Sequence, residues 1–209
     1  AQWFESRLSV SDSWRMYEEF ACDAAYIDIE TSGAGRMHEQ VVTVIGVYDG
    51  AELRQFIHGK NTGDFIEFIK RFKLLVTYNG KAFDIPMLHS RWAGARLDRV
   101  GHIDLRYVYA AMGFKGGLKG IEKALGIERP DGVDGMDGYA AVICWQRYLK
   151  GRQKYLDVLL KYNAEDVRNL KPLAEMACLM ARQRLLSGFR RVEPGIAGAE
   201  EESCGESDG

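Results

Sequence analysis

Apolar and polar positions alternate with period two through "AAYIDIE", which predicts a strand carrying Tyr26, Asp28 and Glu30 on one face and Ile27 and Ile29 on the other. "VVTVIGVYDGAELRQFIHG" then gives two β-branched and aromatic runs joined across Asp49-Gly50, a hairpin signal, so three adjacent antiparallel strands are expected to open the fold. Ahead of them, Trp14, Tyr17 and Phe20 recur every three residues, as on a short helix or turn packed at the domain edge. "TGDFIEFIKRF" reads as a helix with Phe65, Ile69 and Phe72 on its apolar stripe, and "LLVTYN" as a short strand. "DIPMLHSRWAGA" follows as a helix that tolerates Pro86 within its first turn. "VGHIDLRYVYAAMG" supplies a strand ending near Asp104 and a helix closed by Gly113, and "LKGIEKALG" a small helix stopped at Gly126. A Gly, Pro and Asp-rich loop, "IERPDGVDGMDG", precedes two longer helices, "YAAVICWQRYLKG" and roughly 155–186. This order predicts an α/β fold with a mixed central sheet and flanking helices.

At 209 residues the chain has the size of one domain, expected over residues 1–190. Residues 191–209 lose periodicity and are expected to be a disordered acidic tail. The net charge is -2, and the tail acids Glu200, Glu201, Glu202, Glu206 and Asp208 account for five negative charges, which leaves +3 on the rest. A protein that held nucleic acid by non-specific phosphate contacts alone would be more basic, so recruitment would fall to a local site. Cys22, Cys144, Cys178 and Cys204 form no CxxC pair, which argues against a zinc knot or a disulfide framework and for a reducing, cytoplasmic home. No apolar run is long enough to span a bilayer and the N-terminus lacks signal-peptide features, so no membrane partner is expected.

Against this background the carboxylates stand out. Asp28 and Glu30 share a strand face, where two like charges raise each other's cost unless a cation or donor neutralises them. They are solvated edge acids or ligands of a hard divalent ion. Asp84 follows the strand-like "LLVTYNGKAF" and either caps the next helix or joins a site, with Gly80 then giving backbone clearance and Asn79 a polar contact or loop brace. Tyr162 and Asp166 are four apart, one helical turn, on a face shared with Leu159, Asn169 and Leu173. Asp166 is either a helix-to-sheet polar contact or a ligand. Together the four acids suit two Mg²⁺ or Mn²⁺ ions about 3.5 to 4 Å apart, an arrangement that holds both oxygens of an in-line phosphoryl substitution. Asp28 would bridge the ions, Glu30 and Asp166 would complete one site, and Asp84 would support the other. The Tyr162 phenol, with an ordinary pKa near 10, would orient water rather than act as a lone base.

"DIET", "YNGKAFD" and "YNAED" resemble, in order, the three motifs of the DEDDy branch of the 3'-to-5' exonucleases. That resemblance implies a ribonuclease-H-like fold, release of nucleoside 5'-monophosphates, metal-binding roles for Asp28, Glu30, Asp84 and Asp166, and water positioning by Tyr162. A closer likeness, from about Trp14 to Ala181 and including "HIDLRYVYAAMGFKGGLKGIEKALGIER" and "DGYAAVICWQRY", is to the YprB-type predicted exonucleases, the RNase H-like domain 2 family. Two features depart from it: Ser32 and the run "GAGR" after the first motif, and the loop "PDGVDGMDGY". Neither removes a ligand.

Several further residues are candidates. Thr31, Asn79, Phe83, Lys115 and Lys119 are candidate substrate contacts, Phe83 by stacking on a base and the two lysines of "GFKGGLKG" by touching phosphate, with helix initiation as the other explanation. His102 and Asp104 point the same way on a strand, as metal or supporting groups or with Asp104 as a helix cap. Arg182, Arg184, Arg190 and Arg191 lie on a nucleic-acid backbone or on a solvated helix end. The expected partner is DNA or RNA with a free 3' end, and a monomer is the favoured state. The rival readings are a structure-selective endonuclease using the same acids and an inactive nucleic-acid-binding domain.

Overall fold

The computed structural model describes residues 2–33, 36, 39–130 and 135–189. The acidic tail, Arg190, Arg191, Cys204, two residues of "GAGR" and the centre of the Gly-rich loop lie outside the described residues.

Among the described residues five strands form one sheet: β1 (Ala24–Thr31), β2 (Val42–Tyr48), β3 (Leu53–Ile57), β4 (Leu74–Thr77) and β5 (Gly101–Asp104), in the order β3-β2-β1-β4-β5. The first three pair antiparallel as expected, and β4 and β5 add in parallel, which makes the sheet mixed. The hairpin differs from a two-residue turn. Asp49 Oδ1 accepts from the amides of Ala51 and Glu52, which spreads the connection over 49–52, with Gly50 at φ 98°.

The helices are α1 (Gln2–Glu5), α2 (Tyr17–Phe20), α3 (Phe65–Ile69), α4 (Asp84–Arg91), α5 (Leu105–Ala111), α6 (Leu118–Ala124), α7 (Gly138–Leu149) and α8 (Lys154–Phe189). A 3-10 segment, Val10–Met16, precedes α2, and the two bury Trp14, Met16 and Tyr17. The Tyr17 and Tyr26 hydroxyls meet at 2.6 Å and so tie this edge to β1. Helices flank both faces of the sheet, as an α/β fold requires. Ile27 and Ile29 of β1 pack with Phe65, Phe68 and Ile69 of α3 and Met87 and Leu88 of α4. Tyr26, Val76 and Ile103 face the other way, onto Val108 and Tyr109 of α5 and Val167, Leu170 and Leu173 of α8. Among the described residues no helix is long and apolar enough to cross a membrane.

Two packing features set up the site. β1 pairs with β4 only over Ala24–Tyr26, so the strands part company before β1 reaches its acids. On the other side, Asp28 sits opposite Gly46 of β2. A Cβ at position 46 would lie 2.3 Å from Asn163 Oδ1 and 2.6 Å from Val167 Cγ2, so the glycine is what lets α8 settle onto the sheet at that level. Gly46→Ala should therefore cost about 1–3 kcal/mol of stability by overpacking. The check is thermal unfolding, where a drop of roughly 2–10 °C is expected for a domain of this size; a variant as stable as the parent would mean that α8 does not need this approach.

Candidate metal centre

The period of β1 points Asp28 and Glu30 at α8, and α8 returns Tyr162 and Asp166 from one turn of its sheet-facing side. Asp28, Glu30 and Asp166 each offer an oxygen, all within 4.8 Å of one another. Glu30 and Asp166 are 6% exposed, whereas Asp28 is half-buried. Withdrawal from water pushes the Asp28 and Glu30 carboxyls well above the ordinary range, and the charge of Asp166 pushes further. Asp166 is also raised by burial, against the pull of Arg129, Tyr162 and Lys119.

Asp84 is the first residue of α4, so the cap position falls to Phe83. Its Oδ1 crosses to β1 and accepts the amide of Ile29 at 3.1 Å, between the two β1 acids and beyond the point where β4 ceases to pair. Burial holds Asp84 up at about 7, even though the amides of Ile29 and of Asp84 itself donate to it and favour its charged form. Its carboxylate is not among the three that share an ion-sized space.

The Tyr162 phenol lies beside Asp166 and helps to favour its charged form. Burial, then the charges of Asp166, Glu30 and Asp28, drive its own pKa far above the usual phenol value, so Tyr162 stays protonated at any physiological pH. Lys119 Nζ stands 4.6 Å from the centre of the Tyr162 ring with no hydrogen-bond partner.

Three residues of the site escape the sequence reading. Asn163, fully buried, donates from Nδ2 to Asp28 Oδ2 at 3.1 Å and to the Asp28 carbonyl at 3.2 Å. Its Oδ1 accepts from Gln55 Nε2 of β3 at 3.0 Å, so the rotamer of Asp28 is fixed from two strands away. The available signal was an amide at a position spaced by four from the core residues Leu159 and Val167. Glu122 and Arg129 form a buried pair, and Arg129 Nη2 stands 2.5 Å from Asp166 Oδ1. Here the signal was an acid on the apolar face of α6, beside Ile121 and one turn from Leu118 and Leu125.

The remaining candidates distribute around the centre. Asp104 Oδ1 accepts from the amides of Asn79 and Arg106 and Oδ2 from that of Lys81, so it caps α5 and braces the loop after β4. Asn79 takes a left-handed φ of 66° there and accepts from Arg106 Nη1. Gly80 leaves room for the hydroxyl of Thr77, which a Cβ would approach to 2.3 Å. His102 Nε2 meets that same hydroxyl at 2.8 Å; burial holds its pKa down at about 3, so the ring is neutral and lies outside the acid group. The Thr31 hydroxyl donates to Gln40 Oε1. Phe83 packs partly buried against the α3–α4 core, and Lys115 is exposed on the turn before α6. Arg182 pairs with Glu18 and Arg184 donates to the carbonyl of Ala111, so both engage the protein surface.

The donor set suits a hard dication. All candidate ligands are carboxylate oxygens, which Mg²⁺ and Mn²⁺ prefer. Buried Glu30 Oε1 has no hydrogen-bond donor, and Asp166 Oδ1 has the Arg129 ion pair but no aligned hydrogen bond. Such orphaned charge is costly unless it meets a cation. No other group of three or more His, Cys, Asp or Glu side chains among the described residues offers such a cluster.

Comparison with known proteins gives this arrangement a context. The chain is 29% identical over 188 residues to "Uncharacterized protein YprB" of Bacillus subtilis (strain 168), a match covering 80% of this chain and 44% of that protein. The chain thus spans less than half the length of that relative. Its fold matches the family B DNA polymerase from the hyperthermophilic archaeon Pyrobaculum calidifontis with a TM-score of 0.61 at 20% identity, over 73% of this chain and 24% of that one. The mixed sheet, its flanking helices and the candidate acidic metal cluster are those of a nuclease fold. With residues 25–178 matching its profile, the chain belongs to the RNase_H_2 family of the RNase_H superfamily.

Proposed function

We propose that this chain is a metal-dependent 3'-to-5' exonuclease that acts on DNA or RNA and releases nucleoside 5'-monophosphates, working as one domain on a free 3' end. The observation that carries the proposal is the meeting of Asp28, Glu30 and Asp166 within 4.8 Å beside the phenol of Tyr162. Two Mg²⁺ or Mn²⁺ ions held there would supply charge neutralisation at the phosphate and activation of water. Asp28, Glu30 and Asp166 would hold them, and Asp84, tied to the amide of Ile29, steadies the strand between the two β1 acids. Tyr162, beside Asp166, keeps oxygen lone pairs that can accept a hydrogen bond from water and aim it. Because its pKa is driven up, the phenol positions and does not deprotonate. Next to it opens a cavity of about 640 Å³ whose wall carries Lys119 and Lys123 together with Glu128 and the mutually paired Glu122 and Arg129, so the two lysines are the groups there that could meet a phosphodiester backbone.

A time course on 5'-labelled and 3'-labelled DNA and RNA oligonucleotides, with Mg²⁺, Mn²⁺ and EDTA arms, tests this. The expected result is a ladder receding from the 3' end of the 5'-labelled strand, early mononucleotide from the 3'-labelled strand, and no product in EDTA. Internal cuts would favour the endonuclease reading, and binding without any metal-dependent product the inactive one. Tyr162→Phe should lower kcat about tenfold with little change in KM, the worth of one hydrogen bond made to the reacting water.

A further inference from the structure

Glu122 and Arg129 lie on α6 and on the segment after it, and their side chains are 2% and 4% exposed. The guanidinium meets Glu122 at two points, Nε to Oε2 at 2.7 Å and Nη2 to Oε1 at 2.7 Å. The same Nη2 reaches Asp166 Oδ1 at 2.5 Å. Asn169, three residues beyond Asp166 on α8, donates from Nδ2 to Glu122 Oε1 at 2.9 Å and closes the loop of contacts. A guanidinium is a rigid planar fork, and one held at two points by a buried carboxylate cannot swing.

We propose that Arg129 is a positioning residue: clamped by Glu122, it fixes the carboxylate of Asp166 beside Asp28 and Glu30 without reducing the net negative charge of the site. The proposal deepens the nuclease reading and rests on Asp166 being a ligand in it. Its core is a charge balance. An unpaired arginine against Asp166 would cancel one of the charges that attract a dication. Glu122 cancels the arginine, so the pair contributes direction and almost no net field. An ion pair that merely joined α6 to α8 would have no need to touch Asp166.

The balance makes the two halves of the clamp differ in sign. Glu122→Gln leaves the guanidinium uncompensated, so Mn²⁺ binding to the full chain, followed by the electron paramagnetic resonance of free Mn²⁺, should weaken about three- to tenfold. Arg129→Met leaves Glu122 uncompensated, so Mn²⁺ binding should hold or tighten while kcat falls at least about tenfold because Asp166 is released. Arg129→Lys keeps the charge but not the fork and should not restore turnover. The double variant Glu122→Gln/Arg129→Met should return Mn²⁺ affinity close to that of the parent. Equal weakening of Mn²⁺ binding in both single variants, in step with their melting temperatures, would reduce the pair to a structural ion pair and overturn the proposal; so would parental turnover in Arg129→Met. If the parent binds Mn²⁺ but cleaves no nucleic acid, the exonuclease reading fails alone, and opposite Mn²⁺ shifts still uphold the clamp. Absence of Mn²⁺ binding by the parent overturns both.

Discussion

Asp28→Asn should melt at a higher temperature than the parent protein in EDTA and yet lose essentially all turnover. The side chain it replaces is a strongly opposed charge: withdrawal from water raises its pKa first, then Asp166, Glu30 and Asp84 do so by charge, while Asn163 pulls the other way. Asparagine has the same shape. Its carbonyl can go on accepting from Asn163 Nδ2, and its amide brings a donor toward the orphaned Glu30 Oε1. Removing one like charge while satisfying a buried acceptor should stabilise the metal-free fold by about 0.5–2 kcal/mol, the size of gain commonly found where function is traded for stability. For a chain of this length that is a rise of roughly 2–8 °C. Turnover, which needs a negative ligand at this position, should fall by at least about 100-fold. With excess Mg²⁺ the order of melting temperatures should reverse, because only the parent retains its full ligand set. A metal-free Asp28→Asn that melts below the parent would mean that the acids do not strain the fold, and the case for a cation site would lose its physical basis.

What the chain discloses locally and what it conceals divide along sequence separation. Period two in β1 was enough to place Asp28 and Glu30 together, and a spacing of four to place Tyr162 over Asp166, because both follow from the geometry of a single element. The α/β class and the mixed sheet were legible for the same reason: each strand and helix signals itself, and their order restricts the topology. The supporting contacts were not legible. Asn163 reaches Gln55 and Asp28 across 108 and 135 residues of sequence, and Gly46 matters only because the β1–β2 register sets it opposite Asp28. No window of local pattern contains a register. The role of Asp84 was hidden likewise, since a residue at the start of a helix reads as a cap until β4 is seen to leave the amide of Ile29 without a strand partner. Arg129 lay in a stretch read as loop by its Gly, Pro and Asp content, and composition says nothing of where one long side chain ends.

In EDTA the protein should gain stability as pH is lowered from about 8 toward about 5, and the stabilisation brought by Mg²⁺ should shrink over the same interval. The sign follows from proton counts. A carboxyl whose pKa is higher in the folded than in the unfolded state binds more protons when folded, so stability falls as pH rises between the two values. Asp28, Glu30, Asp84 and Asp166 are all raised, Asp84 to about 7, against an ordinary value near 4. His102 opposes them. Its pKa is held down at about 3, so below about 6.5 the unfolded chain takes up a proton that the folded one refuses, and acid costs stability there. One histidine roughly offsets Asp84 near pH 6, and Asp28 and Glu30, raised well above the ordinary range, decide the slope. A dication reverses it, because the carboxylates must be ionised to bind and protons compete. At pH 8 a Mg²⁺ concentration 100 times its dissociation constant should add about 2.7 kcal/mol. Near pH 5 the melting curves with Mg²⁺ and with EDTA should nearly coincide. Melting temperatures recorded across this range in both conditions decide the matter: a gap that stays constant with pH, or a metal-free curve that climbs from pH 5 to 7, would show that these acids ionise as ordinary surface groups and are not gathered around a shared cation.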